Sequence, residues 1–467
     1  MKYPFLFAHQ KQMIIWIFHV HHKNNKNKHM KKYILILSII LSVKAQAQSL
    51  YFPPKTGTTW DTLSPNRLGW CQKNIDSLTN FLQRTNTKGF IVLKDGKIVL
   101  EKYFGTFTQD SIHYWASAGK SLTATMIGIA QQKGLLNIND SVSKYLGVGW
   151  SSETRQKEKL ITIKNLLTMT SGMDDNAPFP CTNEDYSTAC LQYKVDAGTR
   201  WAYHTGAYKK LEEVVAAASG LTYNVATNNF IEAYTGMSGA WIPSGVYFSK
   251  TRDMARFGLL TLNKGIWQSD TVLRDTAYFR AMTNTSQSFN LSYGYLWWLN
   301  GKASAMVPGL QTVFPFKLIP NAPNDLFCAL GKNDQKIYVI PSTKMVIVRT
   351  GDSGDNALAV STYDTLIWSY INKLNNGCNL TSVKEKKTEN NSSIFPNPAK
   401  NSFYIKTDLL DNFSVSIFNM QGQILQEQKN ITSNFEFDVS GYEKGIYFVR
   451  VFNDNGYSEI QKLMIAR

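Results

Sequence analysis

Downstream of residue 48 the chain holds two serines followed three positions later by a lysine, Ser117-Ala118-Gly119-Lys120 and Ser141-Val142-Ser143-Lys144. A serine hydroxyl becomes a nucleophile when a neighbouring base takes its proton. A lysine, with an ordinary pKa of about 10.4, can do so only where burial or another cation favours the neutral amine. The two pairs sit in different surroundings. Ser117 opens a proline-free run to Lys133 that carries Leu122, Met126, Ile129 and Ala130 at three- and four-residue spacing and stops at Gly134, the pattern of a helix with an apolar face and a glycine cap. On such a helix Ser117 and Lys120 stand one turn apart on one face. Ser141 follows Asn139-Asp140 and reads as a loop residue. Ser117 is therefore the candidate nucleophile and Lys120 its candidate base.

Other serine settings are weaker. Gly351-Asp352-Ser353-Gly354-Asp355 would serve a Ser-His-Asp protease only with a histidine and an aspartate upstream, and past residue 48 the only histidines are His113 and His204. Its last two residues read as a turn after an apolar strand. Gly236-Met237-Ser238-Gly239-Ala240 lacks the final glycine of a nucleophile elbow. Two histidines without helical spacing, no run of paired carboxylates and five cysteines without a Cys-x-x-Cys give no zinc signature, so neither a metal nor an organic cofactor is expected. His204 is expected to pack beside Tyr203.

The elements that must position Ser117 can be traced along the chain. Phe90–Leu93, the turn Lys94-Asp95-Gly96-Lys97 and Ile98–Phe104 spell a hairpin. Helical patterns cover Ile163–Thr170 and Tyr208–Ser219, and Asp325–Leu330 and Gln335–Thr350 read as apolar strands interrupted by a turn. Helices lie between early and late strands, which fits a mixed α/β architecture in which both ends share one sheet better than a regular βαβ repeat.

Around Ser117 the string KYFGTFTQDSIHYWASAGKSLTATMIGIAQQKGLLNINDSVSKYLG resembles the nucleophile region of class C β-lactamase-related hydrolases. ITIKNLLTMTSGM at Ile161–Met173 and TRDMARFGLLTLNKGIW at Thr251–Trp267 resemble further segments of that family, so the likeness runs from about Gly89 to Thr350. It implies a β-lactamase/transpeptidase-like fold, an antiparallel sheet flanked by helices plus an all-helical region. It also implies that Tyr203, in WAYHTGAY, is the tyrosine that exchanges protons with the nucleophile and the leaving group. Two departures stand out. Thr205 occupies the place where the family has asparagine or serine, and the third motif, a Lys-Thr-Gly or His-x-Gly triplet, is replaced by ALGKNDQKIYVIP at Ala329–Pro341. Gly331, Lys332, Asn333 and Asp334 are the candidate substrate and oxyanion-binding residues there, with Ser117's own backbone amide as the other oxyanion donor. The variant resembles the esterase and 6-aminohexanoate-oligomer hydrolase branch, which implies an acyl-enzyme on Ser117 formed from an ester or amide. Two alternatives remain: a penicillin-binding carboxypeptidase or β-lactamase acting on cell-wall peptides, or a dead hydrolase fold serving as a surface binding protein.

Composition agrees with export. Met30-Lys31-Lys32, the apolar run Tyr33–Val43 and Ala45-Gln46-Ala47 have the order of a signal peptide cut after Ala47, preceded by an upstream extension; the run is too short to span a bilayer, so no permanent transmembrane anchor is expected. Residues 1–47 hold eight lysines and no acid, and without them the formal charge falls from +16 to +8. The remaining lysines are scattered, which argues against a nucleic-acid partner. Cys181 and Cys190 are close enough to staple a loop in an exported protein. The expected organisation is a leader at 1–47, the hydrolase domain at 48–374, a polar linker at 375–392 and a small β-sandwich at 393–467, whose strand runs are Phe403–Ile405, Phe413–Ile417, Phe435–Phe437 and Ile446–Val451. IFPNPAKNSFYIKT, VSIFNMQGQILQEQ, FDVSGYEKGIYFVRVF and KLMIAR in that sandwich resemble the sorting domain of type IX secretion cargo, which implies the type IX secretion machinery as partner and a secreted or cell-surface location.

Overall fold

The hairpin legible in the sequence forms as β1 (Thr87–Lys94) and β2 (Lys97–Tyr103), with Asp95 and Gly96 at φ 51° and 83° in the tight turn. The computed structural model describes residues 50–354, 362–374, 392–407, 412–432, 435–453 and 458–466; the leader and nearly all of the linker expected at 375–392 lie outside them. The chain divides into two units that part between Asn376 and Gly377.

In the first unit, β3 (Ile112–Tyr114), β4 (Gly239–Ile242) and β5 (Val246–Lys250) make a small sheet in the order β3-β5-β4, and β6 (Ile266–Trp267) pairs with β7 (Asp270–Thr271). The late strands are β8 (Trp298–Leu299), β9 (Phe327–Gly331), β10 (Gln335–Ile340) and β11 (Met345–Gly351). They join the early hairpin in one six-stranded sheet ordered β2-β1-β11-β10-β9-β8, antiparallel at every pairing. Thr87 pairs with Gly351 and Lys94 with Met345, so the two ends of the unit meet in the middle of the sheet, as the strand-helix-strand order led one to expect. Both β9 and β10 are buried along their whole length, which is why they read as continuous apolar runs and not as alternation.

Helices cover both faces. Side chains alternate across β10. Ile337 points toward α4 (Thr251–Leu262), where a Cβ on Gly258 would lie 2.4 Å from Val346 and 3.1 Å from Ile337. Lys336 and Tyr338 point the other way, toward α5 (Thr362–Lys373), which packs with α1 (Gln72–Arg84). There the Lys336 ammonium, without solvent exposure, lies 2.8 Å from the Asp364 carboxylate and 3.1 Å from that of Asp334, and the Tyr338 hydroxyl donates to Asp364. The helix that follows Ser117 is α2 (Gly119–Gln132). It is buried on all sides from Gly119 to Ala130, so it runs through the core instead of lying on it, and it packs against α3 (Thr205–Ser219) in the helical region.

Boundaries moved by a turn or less. The helix at Ile163 ends at Leu167, before Met169 at φ 58°, and α3 starts three residues earlier than its apolar pattern because the His204 ring Nδ1 accepts from the Ala207 amide and caps it. Cys181 and Cys190 form a disulfide, Cys71 is also disulfide-bonded, and Cys328 is a buried free thiol.

The second unit contains two antiparallel sheets. One is β12 (Ser392–Phe395), β13 (Ser402–Thr407) and β16 (Phe435–Asp438) in the order β12-β13-β16; the other is β14 (Phe413–Phe418), β15 (Ile424–Ile431), β17 (Gly445–Phe452) and β18 (Ser458–Ile465) in the order β15-β14-β17-β18. Phe403 and Ile405 from one sheet and Val415, Ile417, Val449 and Leu463 from the other share a single core, as in a small sandwich. Among the described residues no helix is long and apolar enough to cross a membrane.

The Lys336 cluster yields a test of how the sheet holds α5. Replacing Lys336 by Met takes the shared cation from two buried carboxylates and is expected to cost about 3–5 kcal/mol, read as a lowered urea midpoint and melting temperature.

Candidate active site

Trp115, Ala116 and Ser117 are held from below before any catalytic group is considered. The Trp115 amide donates to the Tyr247 carbonyl at 2.8 Å, its indole donates to Ser249 Oγ at 2.8 Å, and its ring meets Tyr247 edge-on. Ala116 then adopts φ 47°, a left-handed backbone rare for a residue with a side chain, and Ala116–Ala118 form a 3-10 turn that leads into α2. From the other side β9 closes in. A Cβ on Gly331 would sit 2.3 Å from the Trp115 carbonyl oxygen and 3.1 Å from the Ala118 amide nitrogen, so only glycine lets the strand end lie against the turn that carries Ser117.

Lys120 Nζ lies 2.8 Å from Ser117 Oγ as its hydrogen-bond donor. The amine is 2 % exposed, and no carboxylate among the described residues forms an ion pair with it; it rests over the rings of Tyr208 at 4.3 Å and Tyr203 at 5.1 Å from their centroids. Burial, helped by the Lys209 cation, pulls its pKa down to about 7 against the opposing pull of Glu184 and Glu212. Tyr203 moves the opposite way. It is enclosed by Trp201, Tyr293 and Trp298, the last stacked on it at 5.7 Å, and this burial raises the phenol well above its ordinary value even though a hydrogen bond with Ser117 works against it. At neutral pH the site thus offers a lysine that can be a base and a tyrosine that keeps its proton.

Ser117, Lys120, Thr205 and Lys332 line one cavity of about 250 Å³, together with Tyr114, Glu184, Tyr208, Lys209 and Val246. Thr205 begins α3 at its mouth. Lys332 is exposed at the end of β9, and the Asn333 amide side chain donates to the Tyr114 hydroxyl at 2.7 Å, one step removed from the cavity. Asp334 is placed elsewhere: fully buried, it pairs with Lys336 and accepts from the Gly354 amide at 2.8 Å, so its side chain faces the core and touches no part of the cavity. Asn333 and Asp334 both have φ 60°, and the buried Arg349 guanidinium donates to both of their carbonyls at 3.0 Å.

Of the competing serines, Ser141 has a structural duty. Ser141 Oγ accepts from the Ser143 amide while Lys144 pairs with Asp140 at 2.7 Å. His113 Nε2 bonds the Gly351 carbonyl at 3.2 Å and not Ser353. His204, buried next to Tyr203, has its pKa lowered to about 4 by that burial.

Comparison with known proteins settles the family. Residues 78–358 match the family model described as Beta-lactamase. The chain belongs to the Beta-lactamase family. Residues 393–466 match the secretion system C-terminal sorting domain. A curated "Uncharacterized protein" of Alkalihalophilus pseudofirmus is 22% identical over 60% of this chain and 88% of its own length. The "Putative penicillin-binding protein PbpX" of Bacillus subtilis is 30% identical over 36% of this chain, which spans 45% of that relative. Among solved structures, the "Putative 6-aminohexanoate-dimer hydrolase from Bacillus anthracis" superposes with a TM-score of 0.52 at 18% identity, covering 70% of this chain and 89% of that one. A "putative beta-lactamase from Bacteroides dorei" also gives 0.52 at 18% identity, covering 66% and 99%. These likenesses carry the fold, a β-lactamase/transpeptidase-like sheet and helices, in a family of serine hydrolases.

Within this Beta-lactamase-family site, three residues escaped sequence reading. Tyr208 supplies the nearer ring under Lys120, Ala116 the strained link, and Asn183 the brace of the tyrosine segment. Asn183 lies in the loop closed by Cys181–Cys190; its amide donates to the Tyr203 carbonyl at 2.9 Å, and its oxygen accepts from the Thr205 amide at 2.9 Å. The only signal for it was a lone asparagine between two cysteines. Replacing Asn183 by Ala is expected to cost about 1–3 kcal/mol of stability, from the main-chain groups left unpaired. It is also expected to slow fluorophosphonate labelling of Ser117 by roughly 100-fold through misplacement of Tyr203.

Proposed function

We propose that the chain is an exported serine hydrolase that cleaves an ester or amide through an acyl-enzyme on Ser117. The observation that carries this reading is the 2.8 Å contact between Ser117 Oγ and a buried Lys120 amine whose proton affinity is lowered to the neutral range. Lys120 takes the Ser117 proton as Oγ adds to the substrate carbonyl. Tyr203, still protonated, gives its proton to the departing alcohol or amine and recovers one from the Lys120 ammonium. The backbone amide of Ser117 and the strand end at Gly331–Lys332 would face the oxyanion. Water then repeats the addition and frees the acid and the serine. Thr205 at the helix start, and Lys332 with its charge at the cavity rim, would hold the rest of the substrate.

The sorting domain at the C-terminus marks the chain for export. The reading extends this to a type IX route after a signal peptide cut near Ala47, with the hydrolase working at or beyond the cell surface.

Intact-mass labelling of the full mature chain with a fluorophosphonate should add one adduct that Ser117→Ala and Lys120→Ala both abolish. The labelling rate should fall by about tenfold per pH unit below about 7, where Lys120 becomes an ammonium and ceases to be a base, and level off above it. A stable penicillin adduct at Ser117 would move the reading to cell-wall peptides. Equal labelling of wild type and Ser117→Ala would leave only the surface binding protein.

A further inference from the structure

We propose that Glu212 is a positioning residue that, through Tyr208, holds the Lys120 amine over Ser117 and tunes its affinity for a proton. The inference rests on the Ser117–Lys120 reading and adds a group that none of the sequence motifs contains.

Tyr208 and Glu212 stand one turn apart on α3, and the Tyr208 hydroxyl donates to Glu212 Oε1 at 3.1 Å, with the Gly245 carbonyl at 3.4 Å as a second acceptor. The same tyrosine presents its face to Lys120 Nζ, closer than the ring of Tyr203 does. An ammonium over an aromatic face is attracted by the ring's negative quadrupole, and a phenol that donates to a carboxylate has a more electron-rich ring. Glu212 therefore reaches Lys120 by two routes, its own negative charge and the polarised ring between them.

The carboxylate is recessed. A Cβ on Gly245 would lie 3.3 Å from both of its oxygens, and beyond it opens a second cavity of about 380 Å³ walled by Tyr186, Tyr223 and Trp241. Burial pushes Glu212 up to about 7, opposed by the Tyr208 hydrogen bond and by the Lys209 and Lys120 cations, while Glu213 adds to the rise. Lys120 faces Lys209, Glu184 and Glu212, with the Ser117 hydroxyl and the Tyr203 ring beside it and Lys332 lining the same cavity. Glu212 faces Tyr208, Tyr223, Lys209, Lys120 and Glu213. Lys120 and Glu212 thus change charge in the same pH range, and each favours the charged form of the other. Without the Glu212 charge, the amine would shed its proton at lower pH and lose the anchored ring that fixes its place.

The test uses the full mature chain with lysines carrying ¹³C at Cε, so that the Lys120 resonance, assigned with Lys120→Met, reports its titration directly. The rate of Ser117 labelling is followed over the same pH range. Glu212→Gln is expected to lower the Lys120 midpoint by about 0.5–1 pH unit and to move the acid limb of labelling with it. Tyr208→Phe, which keeps the ring and drops the link, should shift both in the same direction, whereas Glu213→Gln, the same charge change one residue along α3, lets Glu212 ionise more readily and should lower neither. An unchanged Lys120 midpoint in Glu212→Gln and Tyr208→Phe overturns the inference, whatever the chain hydrolyses. A shifted midpoint in a wild-type background that takes no probe at Ser117 upholds the Glu212 link and overturns the hydrolase reading instead.

Discussion

Arg349 is the group on which the arrangement of the first unit turns. It is fully buried on β11, and its guanidinium donates to the carbonyls of Thr85, Asn333, Asp334 and Asp352 and to the Thr87 hydroxyl, at 2.7 to 3.1 Å. A buried cation is tolerable only when its donors are all met, and here main-chain oxygens meet them. In return it gathers the start of β1, the end of β11 and the left-handed pair Asn333–Asp334 into one knot. That pair lets β9 reverse into β10 while Lys332 stays at the cavity and Asp334 turns inward to Lys336. The turn that stands where a third motif was expected is thus fixed by an arginine fifteen residues beyond Asp334.

The hydrophobic pattern made much of the fold readable. The β1–β2 hairpin, the nucleophile helix, the late apolar strands and the sandwich strands at Phe403, Phe413, Phe435 and Ile446 follow from periodicity and turn residues alone. The strands β12, β15 and β18 were not legible. Ile424–Ile431 is mostly exposed and lacks an inward face, whereas α1 does offer Ile75, Leu78, Phe81 and Leu82 at helical spacing. At the site, Ser117 and Lys120 could be found because one helical turn links them. Asn183, Tyr208 and Glu212 could not, because what matters about them is how separate segments are brought together, and sequence spacing is silent on that. Asp334 was grouped with its neighbours by adjacency, yet alternation along the chain and the pull of Lys336 send it into the core.

Lys120 and Tyr203 are shifted in opposite directions by the same cause, burial. Desolvation always opposes the charged form, so a single dry, aromatic-walled chamber lowers an amine and raises a phenol together. Trp298, Tyr293 and Trp201 surround Tyr203, and Tyr208 presents its face to Lys120. Two groups of similar ordinary pKa are thus driven apart by their burial, as carboxylate pairs are separated elsewhere.

The pairing of β1 with β11 also sets an order of events. Thr87 leaves the ribosome long before its partner Gly351, and β1 has no central neighbour until the whole helical region has been made. Contacts so distant in sequence form slowly, because the loop between them must close before the pairing rewards it. Ser117 and Lys120 are synthesised early, but the wall that faces them hangs from β9, β10 and Arg349. The wall that faces Ser117 and Lys120 is therefore among the last parts of the unit to form, long after the residues it encloses have been made.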